Sequence, residues 1–250
     1  MFRRVAFGLA GIGFLLLGTV LAPAQDRRQN APGAFDFYVL ALSWSPSYCE
    51  TSRERRPDGR ADPVQCGPRP FSFVVHGLWP QYEQGFPSYC QVPAPRLNRG
   101  IVSGMLDLMP SPRLVFHEWD RHGTCSGLPA AGYFETVRKA RSAVKIPDRY
   151  LDVATVLTVT PAEVRDAFIA ANKSLGEGGI AVTCSSKYLS EVRICLGKDF
   201  AFHDCPEVVK RACRRDKVVM PPVRGGQAAN AGGAPLSVAV PNADTNANAN

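Results

Sequence analysis

Apolar and polar positions along the chain fall into runs with recognisable periods. Phe35-Asp36-Phe37-Tyr38-Val39-Leu40-Ala41-Leu42 is aromatic and β-branched, which predicts a buried strand ended by Ser45-Pro46. Phe71 to His76 predicts a second strand. Arg53, Arg55, Arg56, Pro57, Asp58 and Gly59 mark residues 53–65 as a solvated loop. Ile101, Met105 and Leu108 carry helical spacing across 97–109, stopped by Pro110. A further helix is expected from about Leu114 to His122, with Gly123 at C′. Thr160-Pro161-Ala162-Glu163 is a capping box with proline in the first turn. Behind it Val164, Ala167, Phe168, Ala171 and Leu175 share one helical face, and Gly176 closes the helix. Strands are expected at Ile180–Cys184 and Glu191–Leu196. From about Val223 the chain turns to Ala, Asn, Gly and Pro, a composition too poor in large apolar groups to bury a core. Strands interspersed with helices predict one α+β domain over residues 35–222, followed by a disordered tail over 223–250.

The N-terminus changes that picture first. Arg3 and Arg4 precede an apolar run from Val5 to Leu21, and Ala22-Pro23-Ala24 supplies small residues for cleavage. Residues 1–24 therefore read as a signal peptide and 25–34 as a short polar leader. A membrane anchor is the competing reading. The run is about 17 residues long and carries four glycines, at the low limit for a spanning helix. No later stretch could span a bilayer, so no membrane association is expected after cleavage. Without Arg3 and Arg4, 27 basic residues stand against 22 acidic ones, a net charge of +5 that suits a polyanionic partner. The eight cysteines all lie in the mature part, and an even count in an exported chain argues for disulfides. There is no C-x-x-C pair of the kind that structural zinc sites use. Their pairing is not fixed by spacing.

Chemistry concentrates in the histidines. Of the four, three fall in two short stretches, F-V-V-H-G-L-W-P-Q (73–81) and H-E-W-D-R-H-G-T-C (117–125). On a helix the second stretch gathers His117, Glu118, Arg121 and His122 within a sector of about 140°, with Val115 and Trp119 on the far side. One face would then present two imidazoles, a carboxylate and a guanidinium, while the other anchors it; an ordinary solvated face is the plainer reading. His76 is expected to share a strand face with Val74 and Leu78. Gly77 leaves room for another backbone or a ligand. Zinc proteases place their histidines at i and i+4, about 40° apart. His117 and His122 are five residues apart, about 140° round the helix, so a zinc protease is a poor fit.

These two stretches resemble the active-site signatures of the ribonuclease T2 family. F-D-F-Y-V-L-A-L-S-W-S-P-S-Y-C (35–49) is similar to that family's first strand, and S-E-V-R-I-C-L-G-K-D-F-A-F-H-D-C-P (190–206) to its late hairpin. The resemblance covers about residues 35–213. It implies a central antiparallel sheet flanked by helices and stapled by disulfides. It further implies a metal- and cofactor-independent endoribonuclease acting on single-stranded RNA with low base specificity. The 2′-hydroxyl would attack the adjacent phosphorus, giving a 2′,3′-cyclic phosphate and then a 3′-phosphate. By the same resemblance His122 is the general base, His76 the general acid, His117 a phosphate ligand, and Glu118 and Arg121 stabilise the transition state. Trp79 would stack on a base, while Trp44 is assigned to the core and His203 has no catalytic role. The family pattern pairs Cys49–Cys66, Cys90–Cys125, Cys184–Cys213 and Cys195–Cys205.

Two positions depart from the pattern. Arg121 stands where relatives commonly carry lysine, keeping the charge but changing its shape. Gln81 stands where some carry aspartate, which bears on base choice. A monomer, periplasmic or secreted, is expected. The competing classes are a module that grips RNA or carbohydrate without cutting, marked by loss of His76 or His122, and a zinc hydrolase. An RNase serving as a toxin toward other cells would carry the same catalytic residues.

Overall fold

The computed structural model describes residues 30–59 and 62–223; the expected signal peptide, the expected leader up to residue 29 and the expected tail from residue 224 lie outside them. Among the described residues six strands form one sheet: β1 (Phe37–Trp44), β2 (Phe73–Gln81), β3 (Leu157–Val159), β4 (Ile180–Ser185), β5 (Tyr188–Leu196) and β6 (Val218–Met220). Six α-helices accompany them: α1 (Ser45–Arg55), α2 (Arg99–Gly104), α3 (Pro112–Arg121), α4 (Ala130–Ser142), α5 (Pro161–Ala171) and α6 (Pro206–Val209). The order is β2-β1-β5-β6-β3, with β4 also paired to β5. Every pairing is antiparallel except the single parallel contact of Tyr188 with Val219, between β5 and β6.

β1 lies between β2 and β5 and is buried along almost its whole length, as its near-continuous apolar sequence requires. On one side of the sheet Leu40, Leu42, Val75, Leu78, Val192 and Ile194 meet Trp119, Tyr133 and Phe168 from the helices. Trp44 is fully buried there and donates its indole N–H to Pro221 O at 3.0 Å. A smaller cluster on the other side contains Phe37, Val39, Ala181 and the Cys195–Cys205 bridge. Disulfides Cys49–Cys66, Cys90–Cys125 and Cys184–Cys213 complete the covalent frame, and no cysteine among the described residues is free.

Several local expectations are revised. Part of the predicted 53–65 loop belongs to α1, a polar helix without an apolar stripe and hence without a periodic signal. α2 is shorter than its spacing suggested and gives way to turns at Met105. α5 has its capping box, Thr160 Oγ1 accepting from Glu163 N at 3.0 Å. It ends at Ala171, however, well before Gly176. Asn172 terminates it by donating to Lys145 O and Phe168 O and accepting from Lys145 N. The chain stays packed through Val223, which is buried and donates to Val153 O, so the domain runs one residue past the expected boundary. At the other end, Gly33 of the leader donates to Cys125 O at 2.9 Å and its Cα packs against Gly127.

Gly123 is not the left-handed C′ residue of α3. The chain continues through a 3₁₀ turn, Gly123–Ser126, and the positive φ falls at Gly127. Gly123 is small for a different reason: a Cβ would stand 2.5 Å from Trp119 and 2.9 Å from Tyr133. Gly123→Ala should therefore lower stability by about 1–3 kcal/mol, the usual cost of overpacking. The urea unfolding midpoint measures it, and an unchanged midpoint would refute this reading of the packing.

Candidate active site

Two elements bring the chemistry together. β2 carries His76 and Trp79, and α3 with its C-cap carries His117, Glu118, Arg121 and His122. The register of β1 against β2 slips at His76: Ala41 pairs Gly77, and Leu42 pairs Val75. His76 is thus the extra residue of a β-bulge, a feature that re-aims side chains beside functional sites. The simple alternation expected of this strand fails here. Val75 and Leu78 point into the main core, whereas His76 and Trp79 both reach the cleft. α3 meets its expected amphipathic pattern, with Val115 and Trp119 buried and the Trp119 indole donating to Pro95 O.

Glu118 joins the two elements. It is 1% exposed. Its Oε2 accepts from Trp79 Nε1 at 2.7 Å, and its Oε1 stands 3.6 Å from His76 Nε2. Gly77 lies under this contact: a Cβ there would overlap both the Glu118 carboxyl and the indole nitrogen. The glycine makes room for two side chains of the protein, not for a foreign backbone or a ligand. The Trp79 ring neighbours both histidines, its centroid 5.4 Å from that of His76 and 5.4 Å from that of His122.

The electrostatics separate the members. Burial acts to lower the pKa of His76, but the hydrogen bond and charge of Glu191, helped by Glu118, outweigh it and raise the value. His122 moves the other way, to about 3, through burial first and then Arg121, His117 and His76. Its Nδ1 is buried with no hydrogen-bond partner among the described residues, a poor place for a second proton. His117, exposed on α3, is lowered by partial burial, Arg121 and His76. Glu118 is pushed up to about 7, chiefly by burial. Arg121 faces the Tyr89 ring, 5.9 Å from its centroid, and its buried Nε has no hydrogen-bond partner among the described residues.

His76, Trp79, Gln81, His117, Glu118, Arg121 and His122 line one cleft. A second hollow, bounded by Tyr48, Arg56, Gln65, Ser111 and Arg113, meets the first at His76 and His117. Gln81 is buried and donates its amide to Pro80 O. His203 lies apart, paired with Glu83. Sequence reading missed Glu191 and Arg193 on β5, which reach His76 and the Trp79 ring. A glutamate and an arginine two residues apart within an apolar strand were the available signal. Among the described residues no three His, Cys, Asp or Glu side chains are grouped to hold a metal.

Comparison with known proteins gives a consistent picture. The Ribonuclease T2 family model matches residues 35–205. A ribonuclease of Aeromonas hydrophila is 34% identical over 190 residues, covering 74% of this chain and 84% of that protein. A probable ribonuclease of Haemophilus influenzae is 37% identical over 131 residues, about half of each chain. Of solved structures, RNase NT in complex with 5′-AMP matches at TM-score 0.56 and 25% identity, over 75% of this chain and 98% of that one. An RNase-related protein from Calystegia sepium shares the fold at TM-score 0.57 and 21% identity, over 75% and 97%.

Gly77→Ala tests the contact at the centre of the cleft. It should separate the Trp79 indole from Glu118 and reduce RNA cleavage at least about tenfold, as misplacement of catalytic groups does, while near-UV circular dichroism stays native-like. Wild-type turnover by this variant would show that the contact is dispensable.

Proposed function

The chain belongs to the ribonuclease T2 family and is an endoribonuclease; from that premise we propose that it cuts RNA by transesterification, without metal, through His76 and His122. The observation that carries the mechanism is the opposite protonation bias of two imidazoles flanking one tryptophan in one cleft. A ring held neutral down to low pH accepts a proton, and a ring with a raised pKa keeps one to give. His122 takes the 2′-hydroxyl proton as that oxygen bonds to phosphorus, and His76 protonates the departing 5′-oxygen, leaving a 2′,3′-cyclic phosphate. Reversal of these roles with water yields the 3′-phosphate. DNA lacks the nucleophile and is spared.

The remaining groups meet the phosphorane. Arg121 and His117 line the cleft and supply donors to its oxygens. Below about pH 7 Glu118 carries a proton, so it donates a hydrogen bond to a phosphate oxygen where a carboxylate would repel it. Trp79 stacks on a base, as the 5′-AMP complex of RNase NT makes reasonable for a family relative. With the neutral Gln81 at the wall, base preference is low. The hollow beyond His76 and His117 accommodates the chain on the other side of the cut, as an internal cutter needs. Residues 1–24 direct export to the periplasm or medium, where the four disulfides persist. The active species is a monomer.

Activity against pH should be bell-shaped. The acid limb follows protonation of His122 and lies near its pKa of about 3, well below an ordinary histidine. The alkaline limb follows loss of the His76 proton and lies above the usual 6.5, since that pKa is raised. Cleavage of single-stranded RNA by the mature protein in EDTA, with end analysis, reads both limbs and the product; activity that vanishes in EDTA and returns with a divalent ion would overturn the mechanism. His76→Ala and His122→Ala should each lower kcat by about 10²–10⁴-fold without altering the circular dichroism spectrum. Substantial turnover by either folded variant would remove that histidine from the reaction.

A further inference from the structure

We propose that Glu191 is a positioning residue for His76: it fixes the proton on Nδ1, so that Nε2 is the nitrogen that exchanges a proton with substrate. This rests on the reading of His76 as general acid. β5 and β2 flank β1 on opposite sides, and Glu191 is level with Ser43 of β1. From there the carboxyl reaches across β1 to the bulged His76, its Oε1 2.5 Å from His76 Nδ1.

The carboxyl is held at both ends. Oε1 also accepts from Ser43 Oγ at 3.3 Å, while Oε2 accepts from Arg193 Nε at 2.9 Å and lies 2.8 Å from Arg193 Nη2. An ionised carboxylate only accepts, so Nδ1 must be the donor. Glu191 is buried, yet His76 and Arg193 overcome the burial and hold its pKa down at about 2. A buried ion pair of this kind is poor evidence of stabilisation, because desolvation offsets much of the attraction. Its geometry points to the cleft instead: the Arg193 guanidinium that clamps Glu191 also lies over the Trp79 ring, 5.1 Å from its centroid.

The consequence is specific to one step. The Nε2 proton passes to the 5′-oxygen as the P–O5′ bond breaks, and the ring is left neutral with Nδ1–H still bonded to Glu191. The other neutral tautomer would set a ring lone pair against the carboxylate. The charged and titratable groups around His76 are Glu191 and Arg193 from β5, with His117, Glu118, Arg121 and His122 from α3 and its cap. Glu191 contributes more to the raised pKa of His76 than Glu118 does.

Glu191→Gln keeps the shape but reverses the preference. Arg193 turns the amide oxygen toward itself, so the amide NH₂ faces His76 Nδ1 and favours the wrong tautomer. Two substrates separate the step: a dinucleoside monophosphate, whose alkoxide leaving group needs the proton, and a nucleoside 3′-(4-nitrophenyl phosphate), whose phenolate leaves without one. The ratio of kcat on the ester to kcat on the dinucleotide should rise about 10- to 100-fold, part of what a positioned acid–base group contributes. The alkaline limb on the dinucleotide should move to lower pH. Glu191→Asp, which keeps the charge, should change both in the same sense by less. His76→Ala is the reference: an unchanged ratio there removes its role as the acid, whatever Glu191 does. If His76→Ala raises the ratio but neither folded Glu191 variant does, Glu191 is a structural residue only and the proposal is overturned.

Discussion

The hydrogen bond from the Trp79 indole to the buried Glu118 carboxyl is where strand and helix become one site. It spans β2 and α3, sits directly over the missing side chain of Gly77, and fixes the ring beside which His76 and His122 both lie. Most of the surrounding architecture serves that contact. α3 is seated by Val115 and Trp119, and Gly123 lets the chain pass close to Trp119 and Tyr133. Tyr133 in turn donates to Leu78 O on β2, so α4 braces the strand from behind. Loosening any of these joints moves one imidazole relative to the other, and the reaction proposed above, which uses both, is intolerant of such shifts.

Burial then does the chemical sorting. Desolvation is the leading influence on His76, His122 and Glu118 alike, and it favours the neutral form of each. What distinguishes them is the company each keeps. His122 lies among cationic and titratable neighbours and stays neutral. His76 is bonded to the Glu191 carboxylate and retains its proton. Glu118 has no clamp comparable to the one Arg193 places on Glu191 and remains easy to protonate. One physical effect, graded by neighbours, thus biases one imidazole toward its neutral form and the other toward its protonated form within a single cleft.

The sequence made much of this legible and left out a definite part. The helical face carrying His117, Glu118, Arg121 and His122 could be drawn from spacing, because an α-helix of this length obeys its period closely. β1, β4 and β5 stood out as dense apolar runs, and the α5 cap as a local motif. α1 escaped because nothing in its polar sequence repeats, and β3 and β6 are too short to show alternation. The orientation of His76 was misjudged because a bulge belongs to the pairing of two strands and not to either alone. The partnership with Glu191 lay beyond reach for a similar reason. It joins residues 115 apart in sequence, and only the strand order brings them together.

The two hollows that meet at His76 and His117 carry a further implication for how polymer is consumed. A trough entered from the side imposes no ruler. On the proposed reading RNA lies along both hollows, and the spacing of successive breaks then follows which stretches are unpaired and within reach. Digestion of that kind would be a scatter of internal nicks, with fragment length set by the folding of the substrate.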